Sequence, residues 1–202
     1  MLISAIFFFA ALPFAKIPLA HVPSFIGAYQ SALVVCDLIT AVLLLAQFNV
    51  LQSRALLVLA SGYLFTALIA FCHMLTYPDL FSVTGLLGAG SQSTAWLYFF
   101  WHGGFPLCVI GYALLKDKGS ARPRKNSACG LWAINIAIPA SVVTVILIVC
   151  GLTFLATTGE GLLPVLMAGH LYSSPLFGIV QGFWLLSFLA LIVLWWRRPH
   201  WS

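Results

Sequence analysis

Charge is scarce in this chain. Nine of its 202 residues are Lys or Arg and four are Asp or Glu, 6% in all, against 62% hydrophobic residues. A soluble domain carries roughly 25% charged residues, so too few polar side chains are present to cover a water-exposed fold. The mean hydropathy of +1.08 points the same way. The net charge of +5 comes from a few Lys and Arg at segment ends, where they orient a membrane protein; no basic stripe of the kind that binds nucleic acid is present. Cysteine pairing is missing too. Cys36, Cys72, Cys108, Cys129 and Cys150 stand singly, odd in number and without a CxxC, which argues against a disulfide framework or a zinc site and for small packing residues. No phosphate-binding glycine motif, serine-based dyad or membrane-embedded metal motif occurs. Thr84–Gly90 shares only its glycine content with such loops and reads as a turn before a helix capped by Ser91 or Ser93. An enzyme is not indicated.

What is present is apolar length. The runs Ile26–Gln47, Ala55–Leu75, Thr94–Leu115, Leu131–Ala156 and Pro175–Trp196 each reach about 20 residues, enough to cross a hydrocarbon core of roughly 30 Å as helix. A shorter run, Leu2–Ala15, ends near Pro13, Lys16 and Pro18. It reads as a short first helix, with a cleaved signal segment as the alternative. The predicted fold is all-α: a polytopic transmembrane bundle of about six helices forming one domain over residues 1–202, with no soluble domain. Arg54, Lys116, Lys118, Arg122, Arg124, Lys125, Arg197 and Arg198 fall on alternate connections, against Lys16, Asp79 and Glu160 on the others. The basic side, with the C-terminus, should be cytoplasmic. Trp96, Tyr98 and Trp101, and Trp195 and Trp196, stand near segment ends as expected of interface anchors.

Polar residues inside lipid are costly, so their positions carry the functional information. Gln30, Asp37, Thr40 and Gln47 are spaced by seven, three and seven, which puts them on one helix face. Asp37 lies mid-span and should face the bundle interior, paired or neutral. Gly62, Thr66, His73 and Thr76 repeat the pattern in the next run, and Tyr98 and His102 lie one turn apart in the one after. Pro106 cannot donate to the His102 carbonyl, which makes it a candidate hinge beside an intramembrane polar pocket. At 1.5 Å per residue, Asp37 and His102 come out near the midplane and His73 about 10 Å further outward; Asp37 and His102 are thus the expected pair. The candidate ligand or proton pocket comprises Asp37, His73, His102, Thr66, Tyr98 and Gln30. The alternatives are an Asp–His hydrogen bond that only locks packing, or haem or metal held by His73 and His102. No metal site is assigned. Asn135 and Pro139 suggest a second kink; Gln181 and Ser187 give the last run a weak polar face, and His21, His170 and His200 receive no role.

Several blocks together are familiar: Asp37-Leu38-Ile39-Thr40-Ala41, Gly62-Tyr63-Leu64-Phe65-Thr66-Ala67 leading to His73, Thr76 and Pro78, then Thr84–Gly90, then Phe100-Trp101-His102-Gly103-Gly104-Phe105-Pro106. In this order they resemble the fourth class of bacterial membrane-associated sensor (MASE) domains, from about Leu12 to the chain end and most strongly over Tyr29–Lys116. The resemblance implies an input module of the bacterial inner membrane that biases an attached output domain, usually a GGDEF diguanylate cyclase and sometimes a histidine kinase. It supplies no ligand. Members continue past the region of Arg197 and Arg198 with about two further helices, about eight in all, whereas this sequence stops at Ser202 without an output module, as expected of a truncated or degenerate sensor. The expected partners are the bilayer and a second copy of the chain. The expected function is sensing of a small ligand or of protonation, without catalysis or a resident cofactor. A transporter or channel is the competing class, and a membrane cytochrome using His73 or His102 the third.

Overall fold

In lipid the backbone finds no outside hydrogen-bond partner, so apolar runs of this length close their bonds internally as helices. The computed structural model describes residues 2–14, 22–116, 128–168, 171–172 and 174–197. It contains six α-helices: α1 (Leu2–Ala11), α2 (Pro23–Leu51), α3 (Arg54–Thr76), α4 (Ser93–Leu115), α5 (Ala128–Thr157) and α6 (Ser174–Trp196). Five of them, α2 to α6, are long and apolar enough to cross a membrane. The ten residues of α1 extend only about 15 Å, too short to span a hydrocarbon core alone. Lys16, Pro18, His21, Lys118, Arg122, Arg124, Lys125, His170, Arg198 and His200 lie outside the described residues, as do the side chains of Cys129 and Asn135.

The ends of α2 follow from sequence. Pro23 stands in its first turn, where a missing N–H costs nothing. Gln52, at φ 53°, turns left-handed and its N–H bonds the Phe48 carbonyl, closing the helix. Only Gln52 and Ser53 separate α2 from α3, so the two pack as antiparallel neighbours. α3 is the centre of the bundle: α2, α4 and α5 all pack against it, and α6 packs on α4. Small residues make this closeness possible. A Cβ added at Gly62 would come within 2.7 Å of the Cys108 Cβ, and one at Gly104 would run into the Phe65 ring. The core joins Phe65 and Ile69 of α3, Trp96, Leu97 and Phe99 of α4, and Val145, Val149 and Ala156 of α5.

The distribution of polarity is inverted relative to a water-soluble fold. Val42, Leu43, Leu147, Leu185 and Leu191 are exposed, while Gln30, Thr66, His73, Thr76, Gln92 and Ser93 are buried. Apolar outside and polar inside is the arrangement that a lipid solvent selects.

One of the aromatic assignments changes. Trp96 is no lipid-facing anchor: it is buried, and its indole N–H donates to the Pro164 carbonyl at 3.3 Å. Trp195 and Trp196 are exposed at the end of α6. The connection between α5 and α6 contains a 3-10 turn, Glu160–Leu162, and a two-residue antiparallel ladder pairing Met167 with Tyr172 and Ala168 with Leu171.

Candidate functional site

The polar interior begins where the first turns of α2 face the last turns of α3. Gln30 Nε2 donates to His73 Nδ1 at 2.6 Å. The two side chains are only 4% and 6% exposed, so neither has water to fall back on. A ring nitrogen that accepts is unprotonated, which leaves the hydrogen of the neutral imidazole on Nε2. The other amide atom, Gln30 Oε1, is buried without a partner, leaving the pair with spare acceptor capacity. One turn beyond, Thr76 Oγ1 donates to the His73 carbonyl at 3.0 Å and Thr94 of α4 donates to the Thr76 carbonyl at 2.8 Å.

Around His73 stands a set of rings from α4 and the end of α3. Its centroid lies 6.2 Å from Tyr77, 6.3 Å from Tyr98 and 6.2 Å from Trp101. Tyr98 in turn covers His102, with centroids 3.9 Å apart, and Trp101 lies 4.8 Å from the same imidazole. His102 Nδ1 is 2.8 Å from the Tyr98 carbonyl one turn earlier. A carbonyl can only accept, so Nδ1 carries the hydrogen, and in the neutral ring Nε2 presents a lone pair. Gln30, His73, Tyr98 and His102 therefore form one continuous cluster across α2, α3 and α4.

Asp37 and Thr66 do not join it. Asp37 stands two turns, about 10 Å, along α2 from Gln30. It is half-buried and makes no hydrogen bond or ion pair among the described residues. The expected pairing of Asp37 with His102 is not formed. The reason is azimuth: α3 packs against both α2 and α4, and His102 is exposed and turned to the Tyr98 carbonyl of its own helix. Spacing along each helix carries no information on which face the neighbouring helices meet. Thr66 is buried and spends its hydroxyl on the Tyr63 carbonyl at 2.8 Å. Pro106 is buried within an α4 that runs unbroken from Ser93 to Leu115.

Beyond His102 the α4 surface opens into a groove shared with α6. It measures about 320 Å³ and is lined by Tyr98, Phe99 and His102 on one wall and Phe183, Trp184 and Ser187 on the other. Its floor is the α4–α6 crossing, where Phe99 and Phe183 stack at 5.3 Å and any Cβ at Gly103 would strike the Phe183 ring. Ser187 was legible only as part of a weak polar face; no periodicity could have paired it with His102.

A second polar assembly ties the α3–α4 connection to the α5–α6 connection. Glu160 Oε1 accepts from the Gln92 amide at 3.1 Å and from Ser91 Oγ at 3.1 Å, and Oε2 accepts from Ser93 Oγ at 3.4 Å. The Gln92 side chain accepts from the Leu166 amide at 3.0 Å. The N-terminus of α4 is thus capped in trans by a carboxylate, which suits the positive end of the helix dipole. The cap expected from Ser91 or Ser93 is not made to the helix amides; both hydroxyls bind Glu160 instead. Gly90 must lack a side chain here, because a Cβ would overlap the carboxylate. Among the described residues no group of three or more His, Cys, Asp or Glu is assembled that could hold a metal ion.

The family model MASE4, described as membrane-associated sensor, integral membrane domain, matches residues 20–199. No curated protein matches the chain, and no solved structure does.

Proposed function

Since the chain belongs to the fourth class of membrane-associated sensor domains, we propose that it is the sensory input part of a bacterial signalling protein and that the Gln30–His73–Tyr98–His102 cluster is its detector. The observation that carries this reading is the buried Gln30–His73 bond. A polar pair held in an apolar bundle is costly to keep unless a role retains it. Its imidazole lies against rings of α4, so a small ligand or a proton arriving beside Tyr98 and His102 alters the surroundings of His73. A switch of this kind needs two helix arrangements with different affinity for the stimulus. The buried proline of α4, Pro106, is the candidate hinge between them.

In this reading the output is an attached GGDEF or histidine-kinase domain, with signalling through cyclic di-GMP in the first case. The protein lies in the inner membrane as a multi-pass domain with the Arg197 end cytoplasmic, and pairs with a second copy. Asp37 is a helix-packing residue facing α3, outside the detector. The test is a fusion of the chain to a diguanylate cyclase, with cellular cyclic di-GMP as readout. His73→Ala and His102→Ala should each change the output by several fold at equal membrane abundance, and Asp37→Asn should leave it unchanged. Unaltered cyclic di-GMP in both histidine variants would remove the cluster from signalling.

A further inference from the structure

We propose that the groove between α4 and α6 binds a lipid-soluble aromatic diol, a molecule of the quinol class, and that His102 Nε2 and Ser187 Oγ accept its hydroxyl hydrogens. Three features of the groove select this chemistry. The first is access. Tyr98 and Trp184 are 45% and 64% exposed on helices that cross the membrane, so the groove opens sideways and an occupant arrives through lipid. The second is shape. Tyr98, Phe99, His102, Phe183 and Trp184 supply rings on both walls, and a planar ring stacks between such surfaces. A volume of about 320 Å³ falls at the lower end of the range for small-molecule sites, roughly 300–1,000 Å³, and suits one substituted ring better than a larger cofactor.

The third feature is polarity with a sign. His102 spends its Nδ1 hydrogen on the Tyr98 carbonyl, and Ser187 spends its hydroxyl hydrogen on the Phe183 carbonyl at 2.9 Å. Both donors are consumed within their own helices, and what each turns toward the groove is a lone pair. These two acceptors favour a ligand that donates, alongside the Tyr98 hydroxyl and Trp184 N–H that the lining also carries. The reduced, hydroxyl-bearing form fits, and the oxidised form of the same molecule, which can only accept, leaves both lone pairs unmatched. The oxidised form therefore forgoes the two hydrogen bonds that the reduced form makes to these acceptors. An alkyl chain or a helix of a second copy would fill the space without using either acceptor.

The biological meaning of this site rests on the sensory function proposed above: an occupant touching Tyr98 and His102 would report, through the rings, to His73 and Gln30. Binding is nevertheless measurable apart from signalling. The full chain in lipid nanodiscs is titrated anaerobically with 2-decyl-1,4-hydroquinone, with the matching decylbenzoquinone and with decylbenzene. The hydroquinone should bind about tenfold more tightly than the quinone, and decylbenzene more weakly still. His102→Leu should weaken hydroquinone binding about tenfold and Ser187→Ala about threefold. Val180→Trp, which fills the groove without touching either acceptor, should abolish it. Asp37→Asn, away from the groove and outside the detector, should leave binding intact.

Equal binding of all three probes would mean that the groove takes any apolar chain, and would overturn the proposal. So would absent hydroquinone binding, or cysteine crosslinking between copies through position 184 that the hydroquinone does not displace. Failure here with an altered cyclic di-GMP output in His73→Ala would leave the sensory reading standing. Hydroquinone binding with an unaltered output would strike that reading and leave this one.

Discussion

α3 and α6 have equal length, 23 residues each, and both are apolar enough to cross a bilayer, yet they are built for opposite tasks. In its most hydrophobic stretch α3 is 44% buried and α6 is 6% buried. Three helices pack on α3, and one, α4, holds α6. Thr66, His73 and Thr76 of α3 are buried, whereas Ser187 of α6 faces a groove and donates to its own backbone. α3 is the fixed axis of the molecule. Among the described residues α6 packs mainly along its seam with α4, so it is the helix whose position an occupant of that seam bears on most directly.

The sharpest way to break this contrast is to enlarge one glycine on each side. Gly62→Leu forces a branched side chain into the α3–α4 crossing and should destabilise the protein by about 2–3 kcal/mol or prevent folding. Gly182→Leu on α6 has open space around it and should stay within about 0.5 kcal/mol of the parent. Thermal unfolding in detergent reads both. If the two variants melt alike, α3 is not the axis.

Next in size is the buried amide. Gln30→Leu strands His73 Nδ1 and should cost about 1 kcal/mol, the usual scale of a hydrogen bond between membrane helices. Asp37→Asn, on the same face of α2 but without a partner, should change stability by less than about 0.5 kcal/mol. The reverse order would put the weight of the α2–α3 contact on Asp37.

The smallest expected effect belongs to the Glu160 clasp. Glu160→Ala removes the carboxylate from the start of α4 and should cost about 0.5–1 kcal/mol. Its clearer sign is faster amide exchange at Gln92 and at the first turn of α4, with the α2–α3 amides unaffected. Exchange that quickens throughout the protein would mean that the clasp holds the whole bundle and not one corner of it.

The fold was legible because lipid imposes a simple rule on sequence: long apolar runs with polar residues at helical spacing. The same rule located Gln30, His73, Tyr98 and His102. It could not decide which of them meet. Position along a helix gives only an expected depth, which is what suggested pairing Asp37 with His102. Azimuth depends on which helices are neighbours, and α3 packs against both α2 and α4, so the pair suggested by depth alone does not form. Trp96 was misread for a related reason: nearness to a segment end says nothing of whether a ring faces lipid or the Pro164 carbonyl. Glu160 was invisible as a cap because its partners, Ser91 to Ser93, lie at least 67 residues away in sequence.

That clasp has a mechanical corollary. Glu160 and Gln92 fasten the segment ahead of α6 to the head of α4, so any tilt of α6 about that end displaces its other end the most. Over a rod about 35 Å long, a swing of about 5° displaces the far tip by about 3 Å. A contact made halfway down the rod is thereby magnified at the tip.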